Sequence, residues 1–337
     1  MKPNLLITGA SGFIGSHLIE EALIQEYQVF AAVRKSSKLV LPEKGDIKVV
    51  HLNYYDTEIL VEQLVNFKKQ FGRFDYVIHN AGITRANNIE DFNEVNNLIP
   101  QRLVNALIAS DNIPDRFLLV SSMAAFGPGD RKAMTPISIH QKMKPISSYG
   151  TSKMAVSDYF LNQCQLPFII VYPTAVYGPR DKDFIEFVQL INKGIEPYLG
   201  LYRQILSMVH VRDLSFAIVN LLQKGRSGGE YIVSDNKNYN KKELGAIVKN
   251  ILKKKTLKLF IPVTPVLWIA AIIKFLYKIA APNKTPLLTQ EKINEISAAN
   301  WSCDAQEVWK VLGVQPHYDL RSGMEQTIEW YRANGML

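Results

Sequence analysis

The sequence predicts an α/β protein built on a doubly wound parallel sheet, with a smaller α/β lobe towards the C-terminus. Three observations carry that expectation. Short apolar runs alternate with helical periodicity at βαβ spacing through the first half of the chain. A glycine-spaced turn joins the first such run to the first helix. Small polar residues recur just past the ends of later runs, where a parallel sheet of this kind collects its ligands.

The first run, Leu5–Ile7, reads as a buried strand. It breaks at Gly9, and Gly12 and Gly15 follow before a helix over about Phe13–Gln25. Gly9 permits a tight turn, Gly12 lets backbone approach a phosphate, and Gly15 lets helix and strand pack closely. The helix start then offers free N–H groups and partial positive charge to a pyrophosphate, a Rossmann-type dinucleotide site. The second strand, Gln28–Val33, ends in Arg34-Lys35-Ser36-Ser37-Lys38. An acid at this strand end would accept hydrogen bonds from the adenosine ribose. Arg34 and Lys35 favour the 2′-phosphate of NADP(H) instead, with NAD(H) kept open and a solvated basic turn as the plain alternative.

Further strands are expected at Ile47–Leu52, Phe74–His79 and Arg116–Ser122, with helices to Phe71 and from Phe92 to Ser110. Asn80-Ala81-Gly82 and Ser121-Ser122 fall at carboxyl ends of strands. Next, Ser147-Ser-Tyr149-Gly-Thr-Ser-Lys153 opens a helix, and its Tyr149 and Lys153 share a face. With 15 tyrosines in the chain, one such pair is unremarkable alone. Its company, a serine at a strand end and a nucleotide turn on the same sheet edge, makes it a catalytic candidate.

These residues resemble the extended short-chain dehydrogenase/reductases, the NAD(P)-dependent epimerase/dehydratase-type family, nearly end to end. The resemblance rests on Thr8–Gly15, Val77–Gly82, Val120–Gly127, Tyr149–Lys153, Tyr172–Arg180, His210–Asp213 and the closing Leu312–Tyr331 stretch. It implies Ser122, Tyr149 and Lys153 as the catalytic set. Lys153 and the nicotinamide would draw the phenol of Tyr149 down from its ordinary value near ~10, and Ser122 would hold the substrate oxygen. It also lays Phe13, Ile14, Asn53, Tyr54, Ala81, Gly82, Ser121, Pro173 and Val176 along the cofactor. It divides the chain into a dinucleotide domain, 1–177 with 205–234, and a substrate lobe, 178–204 with 235–337, and it suggests a homodimer through the helices carrying Leu103 and Tyr149.

Three departures stand out. Asn53-Tyr54 replaces an Asp with an apolar neighbour at the adenine site. Tyr172 precedes Pro173 where arginine is common. Phe126 replaces a tyrosine, which removes a hydroxyl from the expected cleft. Dehydratases of the family carry an Asp-Glu pair after the catalytic hydroxyl; here Met123-Ala124 follow Ser122. The favoured activity is therefore NADP(H)-dependent ketone reduction, in the manner of the dihydroflavonol and 3β-hydroxysteroid enzymes. A nucleotide-sugar epimerase with tightly held NAD(P) is the alternative, with Arg180 and Arg203 as candidates for a diphosphate. His210 reads as structural, and Asp213 as a cap for the helix that follows.

The net charge of +8 is uneven: Lys241–Lys284 holds ten lysines against one acid, Glu243. Basic charge is thus a local property, not a sign of nucleic-acid binding. Cys164 and Cys303 have neither metal nor disulfide spacing, so no metal is expected, and a cytoplasmic setting fits. Within the basic stretch, Thr264 and Pro265 are expected to start a helix running to Ala280, too short and interrupted to span a membrane. Two readings remain for it. It closes a pocket over a bulky apolar substrate, or it lies on the inner face of the membrane, with Leu267, Trp268, Phe275 and Leu276 in the acyl boundary.

Overall fold

A computed structural model describes residues 2–34, 47–86, 88–280 and 289–337, the side chains of 274–280 excepted. The first half runs β1 (Asn4–Thr8), α1 (Phe13–Ile24), β2 (Gln28–Ala32), β3 (Ile47–Val50), α2 (Thr57–Phe71), β4 (Tyr76–His79), α3 (Ile89–Asn93), α4 (Ile99–Ala109), β5 (Arg116–Val120), α5 (Ser148–Asn162) and β6 (Phe168–Pro173). The second half runs β7 (Ala175–Tyr177), α6 (Ile185–Asn192), β8 (Ile195–Leu199), β9 (Ile205–Leu206), β10 (Met208–His210), α7 (Val211–Lys224), β11 (Gly229–Val233), β12 (Tyr239–Asn240), α8 (Lys241–Leu252), β13 (Leu257–Ile261), α9 (Val263–Ala280), α10 (Gln290–Ser297), β14 (Asn300–Trp301), α11 (Gln306–Leu312) and α12 (Leu320–Ala333).

Seven parallel strands form the central sheet in the order β3-β2-β1-β4-β5-β6-β11. The order reverses between β1 and β4, and loops diverging there leave a crevice at the strands' carboxyl ends. Side-chain alternation explains why the strands are continuously apolar. Leu5 and Ile7 face a core completed by Leu18, Ile218 and Leu222, while Leu6 faces one built from Leu64, Leu103, Phe117 and Phe160. Leu103 is fully buried in that second layer, so it is not itself a surface for a partner copy.

A third core joins Tyr177, Val188, Leu244, Val248, Met324 and Ile328 in the smaller lobe. One late stretch, α11, instead packs on the sheet: Trp309 and Leu312 lie in the first core, and the indole N–H of Trp309 donates to Ser234 O at 2.8 Å. Helix α9 begins at Val263, not behind a Thr264 cap, so Pro265 sits inside the first turn, where its missing N–H costs no bond. Asp213 also differs from expectation. It lies in the first turn of α7, and its carboxylate accepts the backbone N–H groups of His317 and Tyr318 at 3.1 and 2.8 Å, tying the late chain to α7.

Candidate active site

The glycine turn behaves as its spacing demands. Gly9 adopts φ +65°, and a Cβ there would come within 2.8 Å of Ala81 Cα. A Cβ on Gly15 would sit 2.1 Å from the Gly9 carbonyl oxygen, so only glycine lets α1 approach β1 this closely. Gly12 is the N-cap of α1 and supplies no side-chain cap. The first-turn N–H groups, those of Phe13 and Ile14 included, are thus left for an anion. Across the crevice, Thr8 Oγ1 accepts the Ala81 N–H at 3.0 Å and meets His79 Nδ1 at 3.1 Å, locking the β1 and β4 ends together. His79 is fully buried, and burial, with the nearby Lys153 cation, lowers it to about 3, so the ring is neutral. An uncapped helix start beside a glycine-only approach fits a dinucleotide pyrophosphate.

Arg34 is exposed just past β2, where an adenosine ribose ends in this topology; Lys35 lies outside the described residues. Asn53 is occupied by its own loop. Its carboxamide accepts the Tyr55 N–H at 3.1 Å, and its backbone N–H donates to Gln63 Oε1 at 2.8 Å. The Tyr54 hydroxyl is buried without a partner among the described residues, and burial drives its pKa upward. Pro173 is buried at the end of β6, and Val176 is half-buried in β7.

Ser122, Tyr149 and Lys153 converge past the end of β5. The Ser122 hydroxyl accepts the Ala124 N–H at 3.1 Å and lies close enough to the Tyr149 hydroxyl to act on its titration. Gly150 allows this approach, since a Cβ there would lie 2.5 Å from Ala124 O. Lys153 is 6% exposed, and its ammonium donates to Val120 O at 2.9 Å. Burial lowers it to about 8. The Tyr149 phenol, contrary to expectation, is not drawn down. Burial raises it to about 12, the Ser122 hydroxyl opposes this, and the Glu295 carboxylate adds to the rise. Lys153, whose ammonium donates to Val120 O, makes no contribution to this shift.

Ser121 turns away from the crevice. Its hydroxyl meets Ser157 Oγ at 3.0 Å and donates to Lys153 O at 3.3 Å, so it anchors α5. Phe126 lies in the core, its ring edge-on to Tyr172 at 4.9 Å, and does not line a cleft. Tyr172 in turn donates to Glu230 Oε2 at 2.7 Å across β6 and β11. Arg180 is bound to Glu20 and Ser16 on α1, and Arg203 is exposed. His210 is buried between Tyr177 and Tyr318, and burial lowers it to about 3.

Two contributions escaped the sequence reading. Asn96 sits in a π-helical turn, Glu94–Leu98, between α3 and α4. Its carboxamide accepts the Ile83 N–H at 2.8 Å and donates to Ile83 O and Ser152 Oγ, both at 3.0 Å. A Cβ at Gly82 would meet Asn96 Oδ1 at 3.0 Å and Lys153 Nζ at 3.4 Å, so the three crowd one point. The second is α10. Glu291 accepts both the N–H and the hydroxyl of Ser148 at 2.8 Å, and Glu295 accepts the hydroxyl of Ser147, the N-cap of α5. Two carboxylates at a helix N-terminus also satisfy its dipole.

Residues 5–234 match the model of the NAD-dependent epimerase/dehydratase family. Ceramide reductase of Caulobacter vibrioides is 26% identical over 98% of this chain and 95% of its own. Sterol-4-alpha-carboxylate 3-dehydrogenase of Dictyostelium discoideum is 25% identical over 96% and 99%. UDP-glucose 4-epimerase of Vibrio cholerae is 25% identical over 98% and 95%. The crystal structure of gox2253 superposes with a TM-score of 0.79 over the whole of both chains at 22% identity, a likeness of fold. The matched stretch takes in the glycine turn, the crevice and the hydroxyl pair. The chain therefore belongs to the NAD-dependent epimerase/dehydratase family, within the extended short-chain dehydrogenase/reductase class of enzymes.

Proposed function

We propose that the protein reduces a ketone on a bulky, apolar, lipid-like molecule with NADP(H), or oxidises the corresponding alcohol. The observation that carries the reading is the hydroxyl pair of Ser122 and Tyr149, brought together beside buried Lys153, with Met123 and Ala124 where a dehydratase would need its acids. A nicotinamide cofactor supplies the hydride when bound. The glycine turn and the α1 start hold its pyrophosphate, and Arg34 grips the ribose 2′-phosphate. Ser122 donates to the substrate oxygen as charge develops there. Tyr149, protonated throughout the neutral range, gives that oxygen its proton. The Lys153 ammonium, donating to Val120 O, ties the catalytic helix α5 to β5. Asn96 and Ser121 keep this group in register by fixing the loop at Gly82 and the helix α5.

The ceramide and sterol enzymes among the relatives support a lipid-like substrate. The epimerase relative supports the second reading, interconversion of a nucleotide sugar. That reading needs a diphosphate site in the smaller lobe, and Arg180 is already paired with Glu20. A substrate panel followed by NADPH and NADH oxidation separates the two. Net NADPH consumption with hydrophobic ketones supports reduction. Conversion of UDP-glucose without net cofactor oxidation replaces it with epimerisation.

A further inference from the structure

We propose that the segment from Lys253 to Ile272 docks the protein on an anionic lipid surface. Strand β13 pairs with β8 in a two-stranded parallel sheet, Leu257 beside Ile195 and Leu259 beside Pro197. Phe260, pointing to the opposite side, stacks on Tyr198. Leu257 is 74% exposed, and Leu259 and Ile195 are exposed with it. Just past β13, α9 turns Pro265, Trp268, Ile269 and Ile272 outward, with Trp268 70% exposed. Their spacing of three, four and seven residues is one continuous helical stripe. Ala270, off that stripe, is buried. The helix thus shows an apolar face to the outside, the reverse of what a soluble surface helix does.

Charge selects the occupant. Lys253, Lys254, Lys255 and Lys258 are all exposed beside the stripe in the chain. From Leu244 to Gln290 the sequence has eight lysines and no acid. A second copy placed face to face would set the lysines of one stretch against those of the other, with no acid within either stretch to pair them. Anionic headgroups neutralise the lysines while the acyl boundary takes Trp268, Ile269 and Ile272. No described helix is long and apolar enough to cross a membrane, so the contact is interfacial. It does not depend on what Tyr149 does.

Sedimentation of the full chain with phosphatidylcholine vesicles, with and without about one-third phosphatidylglycerol, tests this at low and at raised salt. The expected result is binding to the anionic vesicles alone, weakened by salt. Lys253→Glu/Lys254→Glu/Lys255→Glu should weaken it by about a hundredfold or more. Trp268→Glu/Ile272→Glu should abolish it while the melting temperature is kept. Absence of binding at low salt, or binding equal for the chain and both variants, overturns the proposal. So does a dimer in light scattering that Trp268→Glu/Ile272→Glu dissolves without any vesicle binding, since a second copy then covers the face.

Discussion

Glu291 holds Ser148 by both its N–H and its hydroxyl, across 143 residues of chain and one position before the phenol of Tyr149. With Glu295 on Ser147, it makes α10 part of the foundation of the catalytic helix. Helix α10 also carries Glu295, whose carboxylate raises the phenol.

Glu295→Gln removes that negative charge, so the Tyr149 phenol should titrate at lower pH. In the reductive direction the protonated phenol is the active form, and activity falls as pH rises through its pKa. The alkaline limb should therefore move to lower pH in the variant, while the rising limb of alcohol oxidation moves the same way. Paired pH profiles of kcat in both directions read this; an unmoved limb would assign Glu295 to α5 capping alone.

The parts of this arrangement that were legible beforehand are local ones. The glycine turn, Ser122 at its strand end and Tyr149 with Lys153 are each encoded within a few residues, and their occurrence together along one sheet edge exposes them. Asn96 was not legible, because its reach depends on a π-helical turn that no periodicity announces. Glu291 and Glu295 look like ordinary acids of a polar helix until the fold carries them to α5. The expected direction of the Tyr149 shift failed for a related reason. Burial and the aim of the Lys153 ammonium at Val120 O are set by tertiary packing, not by a four-residue spacing.

Lys153 should leave a signature in stability. Its pKa falls from 10.5 to about 8 on folding of the cofactor-free protein. Between these values the unfolded chain binds more protons than the folded one, so stability rises with pH there. From pH 7.5 to 9.5 the contribution of Lys153 should grow by about 2 kcal/mol. Urea unfolding of the protein and of Lys153→Met at both pH values isolates it: the variant should lack that gain.

Arg34→Asp should reverse cofactor preference. Loss of a charged forked contact costs roughly 1.5–3 kcal/mol, so kcat/KM for NADPH should fall about tenfold to a hundredfold. Use of NADH should hold or improve. Steady-state kinetics with both cofactors checks this, and an unchanged ratio would return Arg34 to the status of a solvated turn residue.

Gly15→Ala places a methyl where only 2.1 Å separates it from the Gly9 carbonyl oxygen. The backbone of the turn must give way, so the variant should lose cofactor affinity by more than about tenfold and melt at lower temperature. Fluorescence titration with NADPH and thermal melting measure the two effects. Wild-type affinity would mean that the turn is not the pyrophosphate site.

The central claim, that Tyr149 supplies the proton for a ketone reduced by NADPH, is tested most directly by the rate of NADPH oxidation with a hydrophobic ketone in the chain and in Tyr149→Phe. The account predicts a loss of about 10²- to 10⁴-fold in kcat with NADPH affinity and melting temperature retained. Turnover in Tyr149→Phe within a few-fold of the parent would contradict it.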